Sequence, residues 1–248
     1  MTTEPEVVVE ESATALADRV ADLAVATLSA ALDERGVAHL VITGGGILEK
    51  VLAALAARKP IDWSQVHVWW GDERYVPADS ADRNDLPAKA ALLDQVAVDP
   101  SKVHRMPPSD AGFGEDVEAA AASYAAELAE AAAGHAEVPT FDLVLLGVGP
   151  DGHCASLFPG HPALHESAAS VVAVHDSPKP PPTRLSLTFP ALDAANEIWF
   201  VASGDGKADA VSRALGGADF TDVPSARPRG REHTLWLLDR DAAAKLRG

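Results

Sequence analysis

Apolar residues recur along the chain with two alternating periods. From Ser12 to Arg35 they fall at Leu16, Val20, Leu23, Ala24, Leu28 and Leu32, a spacing of three and four that lines one face of a helix. Ser12 is placed to cap this helix and Gly36 to stop it. A short apolar run, His39–Ile42, then reads as a buried strand, and Ile47–Arg58 as a second helix. The alternation continues. Val66–Trp70 reads as a strand, Gly71–Arg83 as a charged loop, and Asn84 to about Val96 as a helix. An Ala-rich helix is predicted over Asp116–Ala133, ended by Gly134. Further strands are predicted at Phe141–Leu146, Val171–His175, Arg184–Thr188, Glu197–Ala202 and Thr234–Leu238, with helices at Asp205–Leu215 and Asp239–Leu246.

Strands separated by helices need crossover connections. The expected class is therefore α/β, a doubly wound, mostly parallel sheet with helices on both faces. The Pro-rich stretch Ser177–Pro182 has strand signals on either side, so it reads as a loop within a single domain spanning 1–248. Open sheets of this kind take their ligands at the carboxyl ends of the strands. Thr43–Gly46, Gly71–Arg74, Gly147–Pro159 and Ser203–Lys207 each follow a strand, so all four are expected along one edge.

Composition narrows the partners. Among the 248 residues, 37 acids against 20 Lys and Arg give a formal charge of −17. Nucleic acid and a membrane surface both call for clustered cations, so neither is expected as a partner. A small anion remains compatible, because a few local cations suffice to hold it. The 47% of apolar residues supports a sizeable core. The lone Cys154 allows no internal disulfide, and no Cys/His zinc spacing occurs. Residues 1–12 are acidic and lack the basic start and long apolar stretch of a secretory signal, which points to the cytoplasm. A monomer is the expected state.

Gly147-Val-Gly-Pro-Asp-Gly152 fits the G-x-G-x-x-G pattern, with Asp176 following 24 positions after Gly152. A dinucleotide site also needs a long helix at the glycines, and Pro159, Gly160 and Pro162 allow two turns at most. The pattern is read as a decoy. No G-x-S-x-G elbow and no phosphate-binding P-loop occur. Cys154 reads as a packing residue. The glycines of Thr43-Gly-Gly-Gly46 either bring amides to an anion at a helix start or simply make a tight turn. Lys207 could be a second phosphate contact, but taken alone it reads as a solvated side chain, and Arg184 taken alone reads as a surface residue. Asp72, Glu73 and Arg74 form either a charge-balanced turn or part of a site. His153, between Asp151–Gly152 and Cys154, has the side chain best suited to taking a proton from water near neutral pH.

Together these segments resemble a known family. Val144-Leu-Leu-Gly-Val-Gly-Pro-Asp-Gly-His-Cys-Ala-Ser-Leu-Phe-Pro159 is similar to the signature of 6-phosphogluconolactonases. Trp70-Gly-Asp-Glu-Arg-Tyr-Val-Pro77 with Ser80-Ala-Asp-Arg-Asn84 resembles that family's second signature. Thr43–Gly46, Thr183–Thr188 and Ser203–Ala208 agree in order and spacing, and the likeness runs from about residue 8 to about 240. Glucosamine-6-phosphate deaminases share the fold, but they typically continue from the Asp-Gly-His turn into Ala-Phe-Asn-Glu-Pro. Here the chain reads Ala155-Ser-Leu-Phe-Pro159. The resemblance implies hydrolysis of 6-phospho-D-glucono-1,5-lactone, with His153 as general base for a water and Asp151 or Asp72 as its orienting carboxylate. Arg74 would bind substrate or polarise the lactone. Thr43, Gly44, Gly45, Gly46, Arg184 and Lys207 would hold the 6-phosphate. It implies no metal and no organic cofactor.

Overall fold

Ser12 opens the first helix, its side chain accepting the Ala15 amide hydrogen, and Gly36 closes it in a left-handed turn with its N–H on the Leu32 carbonyl. The helix between them, α1, spans Ala13–Arg35 and turns Leu16, Val20, Ala24 and Leu28 fully inward, the face the spacing predicts. The computed structural model describes residues 4–58, 61–134 and 136–246. Met1–Thr3, at the acidic start, and Arg247–Gly248, at the end of the expected 1–248 domain, lie outside the described residues.

In chain order the strands are β1 (Glu6–Glu10), β2 (Ala38–Ile42), β3 (Val66–Trp70), β4 (Asp72–Arg74), β5 (Val103–His104), β6 (Leu143–Gly147), β7 (Val171–Val174), β8 (Arg184–Leu187), β9 (Glu197–Ala202) and β10 (His233–Asp239). The remaining α-helices are α2 (Gly46–Ala56), α3 (Asp85–Ala88), α4 (Val117–Ala131), α5 (Phe189–Leu192) and α6 (Ala208–Leu215). Among the described residues a seven-stranded sheet runs in the order β1-β10-β9-β6-β2-β3-β5, every pairing parallel. β6 and β9 bury successive residues on both faces, as strands of a sheet covered on both sides must. One apolar cluster runs through the sheet and its helices.

Four expectations need correction. β7 and β8, read as members of the main sheet, instead join β4 in a separate three-stranded antiparallel sheet ordered β4-β8-β7. Residues 175–183 between them carry no helix, so no parallel crossover is available. β4 itself falls inside the stretch expected to be a charged loop. The chain enters it at Gly71, whose N–H donates to Ile42 and whose carbonyl receives the Leu187 amide. The predicted helix Asp239–Leu246 is a set of turns. Ala243 bonds back to Asp239, but Ala244 and Leu246 close three-residue turns, and one helical turn alone is costly to nucleate. Two strands had no expectation at all: the valine run at 7–9 lies in edge strand β1, and the two-residue β5 carries too little pattern to be read from sequence.

α3 continues into a wider turn at Lys89–Leu93, so the helix expected to reach Val96 is shorter and mixed. Among the described residues no helix is long and apolar enough to cross a membrane.

Candidate active site

The four strand-end loops meet as expected, around a cavity of about 470 Å³ at the carboxyl edge of the parallel sheet. Thr43, Gly44, Gly45, Gly46, Asp72, Arg74, His153, Arg184 and Lys207 all line it. Asp151 stands behind His153 and bonds to it.

The 147–153 turn is built around the imidazole. Gly149 passes so close to His153 that a Cβ there would lie 2.0 Å from Nδ1, which only glycine avoids. No helix follows these glycines: the chain makes a small bridge between Cys154 and Leu157 instead. His153 Nδ1 lies 2.5 Å from Asp151 Oδ1 and its ring packs on Phe158 at 4.5 Å. With a carboxylate on Nδ1, that nitrogen carries the proton, leaving Nε2 as an acceptor. Burial alone would raise the Asp151 carboxyl. The hydrogen bond and charge of His153, joined by the Lys179 ammonium, outweigh it and hold Asp151 well below the ordinary carboxylate range. Of the two carboxylates left open by the sequence, Asp151 is therefore the one that engages His153.

Asp72 is occupied elsewhere, its Oδ2 accepting the Ser156 hydroxyl at 2.7 Å in a buried contact. Arg74 and Arg184 are directly opposite each other in the β4–β8 ladder. Like charges in that position repel, and an anion between them would relieve the repulsion. Arg74 Nη1 donates to the Asp82 carbonyl, while its Nε is buried without a partner. Arg184 is almost wholly buried and not a surface residue. Its Nε and Nη2 donate to the carbonyls of Pro181, Lys179 and Pro180. Burial first, and then Arg74, push its guanidinium below the usual value against the pull of Asp72.

α2 begins at the glycine turn with no side-chain cap, so the amides of Gly46, Ile47 and Leu48 face the cavity rim without helical partners. The backbone comes close here: a Cβ on Gly44 would meet Asn84 Oδ1 at 1.9 Å. The Thr43 hydroxyl is already spent. It donates to Leu145 and accepts from the Gly147 amide, tying β2 to β6. On the far wall, Asp239 accepts from Ser203 Oγ and the Gly204 amide, fixing the turn that carries Lys207. Burial, then the nearby Lys179 ammonium, lower the Lys207 ammonium, with Asp151 opposing.

Several residues were missed. Glu73 points inward, receiving the amides of Arg74, Asn84 and Asp85 beside Arg83 at 3.7 Å. It is structural, and burial, opposed by Arg83, pushes its carboxyl up to about 7. Asn84 donates to the Asp72 carbonyl at 3.2 Å and lines the cavity. Lys179 enters from the loop read as a Pro-rich connection; the available signal was a lone cation amid prolines. Cys154 is fully buried, and burial raises its thiol far above the ordinary range, in keeping with a packing role. Among the described residues no group of three or more His, Cys, Asp or Glu is arranged to hold a metal ion.

Residues 11–236 match the family described as glucosamine-6-phosphate isomerases/6-phosphogluconolactonase. A 6-phosphogluconolactonase of Streptomyces coelicolor is 50% identical over 99% of this chain and 96% of its own length. One of Mycobacterium tuberculosis is 53% identical over 90% of each chain. Among solved structures, 6-phosphogluconolactonase from Trypanosoma brucei superposes with a TM-score of 0.84 at 25% identity, covering 100% of both chains.

Proposed function

Since the chain belongs to the glucosamine-6-phosphate isomerase/6-phosphogluconolactonase family, we propose that His153 acts as its general base in hydrolysing 6-phospho-D-glucono-1,5-lactone. It is an enzyme of the lactone-hydrolysing branch of that family. The product, 6-phosphogluconate, makes this the second step of the oxidative pentose phosphate pathway.

The observation that carries the mechanism is the Asp151–His153 hydrogen bond at 2.5 Å, inside a cavity walled by cations. A water between Nε2 and C1 gives its proton to His153 as its oxygen bonds to the lactone carbonyl carbon. The oxyanion forms near Arg74, whose Nε is buried without a protein partner. As the tetrahedral species collapses, the C1–O5 bond breaks and the C5 oxygen takes the proton back from His153. Asp151 fixes the tautomer throughout. The activated ring ester needs no covalent nucleophile, which fits the inert Cys154. The α2 amides, Lys207 and Arg184 hold the 6-phosphate, and Thr43 contributes through the strand contact that shapes the turn. We take residues 1–248 to act as one domain and as a monomer.

The test is acid release from freshly prepared 6-phosphogluconolactone, measured above the spontaneous rate, with unphosphorylated gluconolactone and glucosamine 6-phosphate in parallel. A large acceleration specific to the phosphorylated lactone supports the reading. Ammonia from glucosamine 6-phosphate without lactone hydrolysis would overturn it.

A further inference from the structure

Between β7 and β8 the chain runs beside the cavity as a strap whose one lysine lines it and reaches the catalytic pair. We propose that Lys179 is a positioning residue for the reaction: it holds the Asp151 carboxylate, and through it the His153 ring, and is itself held in place by Arg184. The proposal rests on the lactonase reading above.

Lys179 Nζ donates to Asp151 Oδ1 at 3.2 Å, the same oxygen that engages His153, and lies 3.2 Å from His153 Nδ1. Asp151 needs such a partner. Its side chain is about one-third exposed, at 33%, so water competes for the carboxylate that must keep the imidazole turned. The strap supplies the cation from a fixed base. Ser177 Oγ receives the Lys179 amide at 3.3 Å and donates to the Lys179 carbonyl at 3.1 Å, while the Ser177 amide closes on Pro182 at 2.9 Å. Pro180, Pro181 and Pro182 restrict φ at three successive positions.

Arg184 anchors the other side. Its three hydrogen bonds run to the carbonyls of Lys179, Pro180 and Pro181, at 3.0, 3.3 and 3.1 Å. One buried guanidinium therefore lines the substrate cavity and also carries the backbone from which Lys179 extends. A phosphate bound at Arg184 acts on the same strap that steadies the base. The competing role for Lys179 is direct phosphate binding beside Lys207, whose ammonium feels its charge. The two roles differ in which kinetic constant they move.

Lys179→Met keeps the apolar stem and removes the charge, and Lys179→Arg keeps the charge. With the phosphorylated lactone, K179M should lower kcat by about ten- to a hundredfold, the effect expected of a slightly misplaced catalytic group, and leave KM within about threefold. K179R should recover most of the loss. Because Lys179 works through Asp151, adding K179M to Asp151→Asn should cost little beyond D151N alone. Wild-type kcat in K179M would overturn the proposal, as would a raised KM at unchanged kcat or losses that multiply with D151N. Should K179M fold poorly, Lys179→Gln, which also removes the charge, takes its place, and the same kcat and KM outcomes decide. If the wild-type enzyme itself leaves the lactone at its spontaneous rate, the lactonase reading fails and takes this proposal with it.

Discussion

At the scale of single residues, the site separates groups that meet substrate from groups that hold them. Lys207 is the cleaner test of phosphate binding, because it lines the cavity and, among the described residues, its ammonium makes no hydrogen bond to the fold. Lys207→Ala should cost about 1.5–3 kcal/mol of binding to the phosphorylated lactone, the usual loss for a charged hydrogen bond. Unphosphorylated gluconolactone should be little affected, and equal losses on both would remove Lys207 from the phosphate site. Arg184→Ala differs, since it also frees three strap carbonyls. Its kcat should fall together with its affinity, read from full saturation curves.

At the scale of elements, the loops matter more than the strands they leave. Gly149→Ala sets a methyl group on the space of the His153 ring, 2.0 Å from Nδ1 at the ideal position. Activity should drop steeply while circular dichroism and the unfolding midpoint stay close to wild type; full activity would mean that the ring moves without consequence. The opposite ends of β2 and β3 carry a different device. His39 and His67 face each other in register with stacked rings at 4.7 Å, and His104 bonds to His67 at 2.9 Å. Burial, then the neighbouring histidines, push His39 down to about 3 and His67 down to about 4. The unfolded chain therefore binds protons first as pH falls. This contribution is complete above about pH 6.5, the ordinary imidazole value, is lost progressively as pH falls below it, and is gone by about pH 3. Melting temperature should decline across that window, and His67→Gln should flatten the decline. An unchanged slope would assign acid sensitivity elsewhere. The main helices and buried strands were legible because each shows one clean period. The β4-β8-β7 sheet was not, since partners 114 residues apart, such as Asp72 and Ser186 at the register, leave no local trace. Gly-rich and charged motifs marked nearly all the cavity wall. Lys179 and the inward turn of Glu73 escaped, because both depend on contacts made only after the strap and the 83–85 turn have folded.

At the scale of the whole molecule, the parallel order β9-β6-β2-β3 delivers four loop ends to one edge, and β4-β8-β7 closes that edge with arginines. This is how a chain with a net charge of −17 offers an anion a cationic cavity. The mechanism assigns proton transfer to a side chain, so activity should survive exhaustive chelation; loss that a divalent ion restores would contradict it. The central claim is that His153 is the base. The direct measurement is kcat for His153→Ala with the phosphorylated lactone, corrected for spontaneous hydrolysis. The account predicts a fall of about 10²–10⁴-fold with KM nearly unchanged, and a variant that keeps near-normal kcat would contradict it.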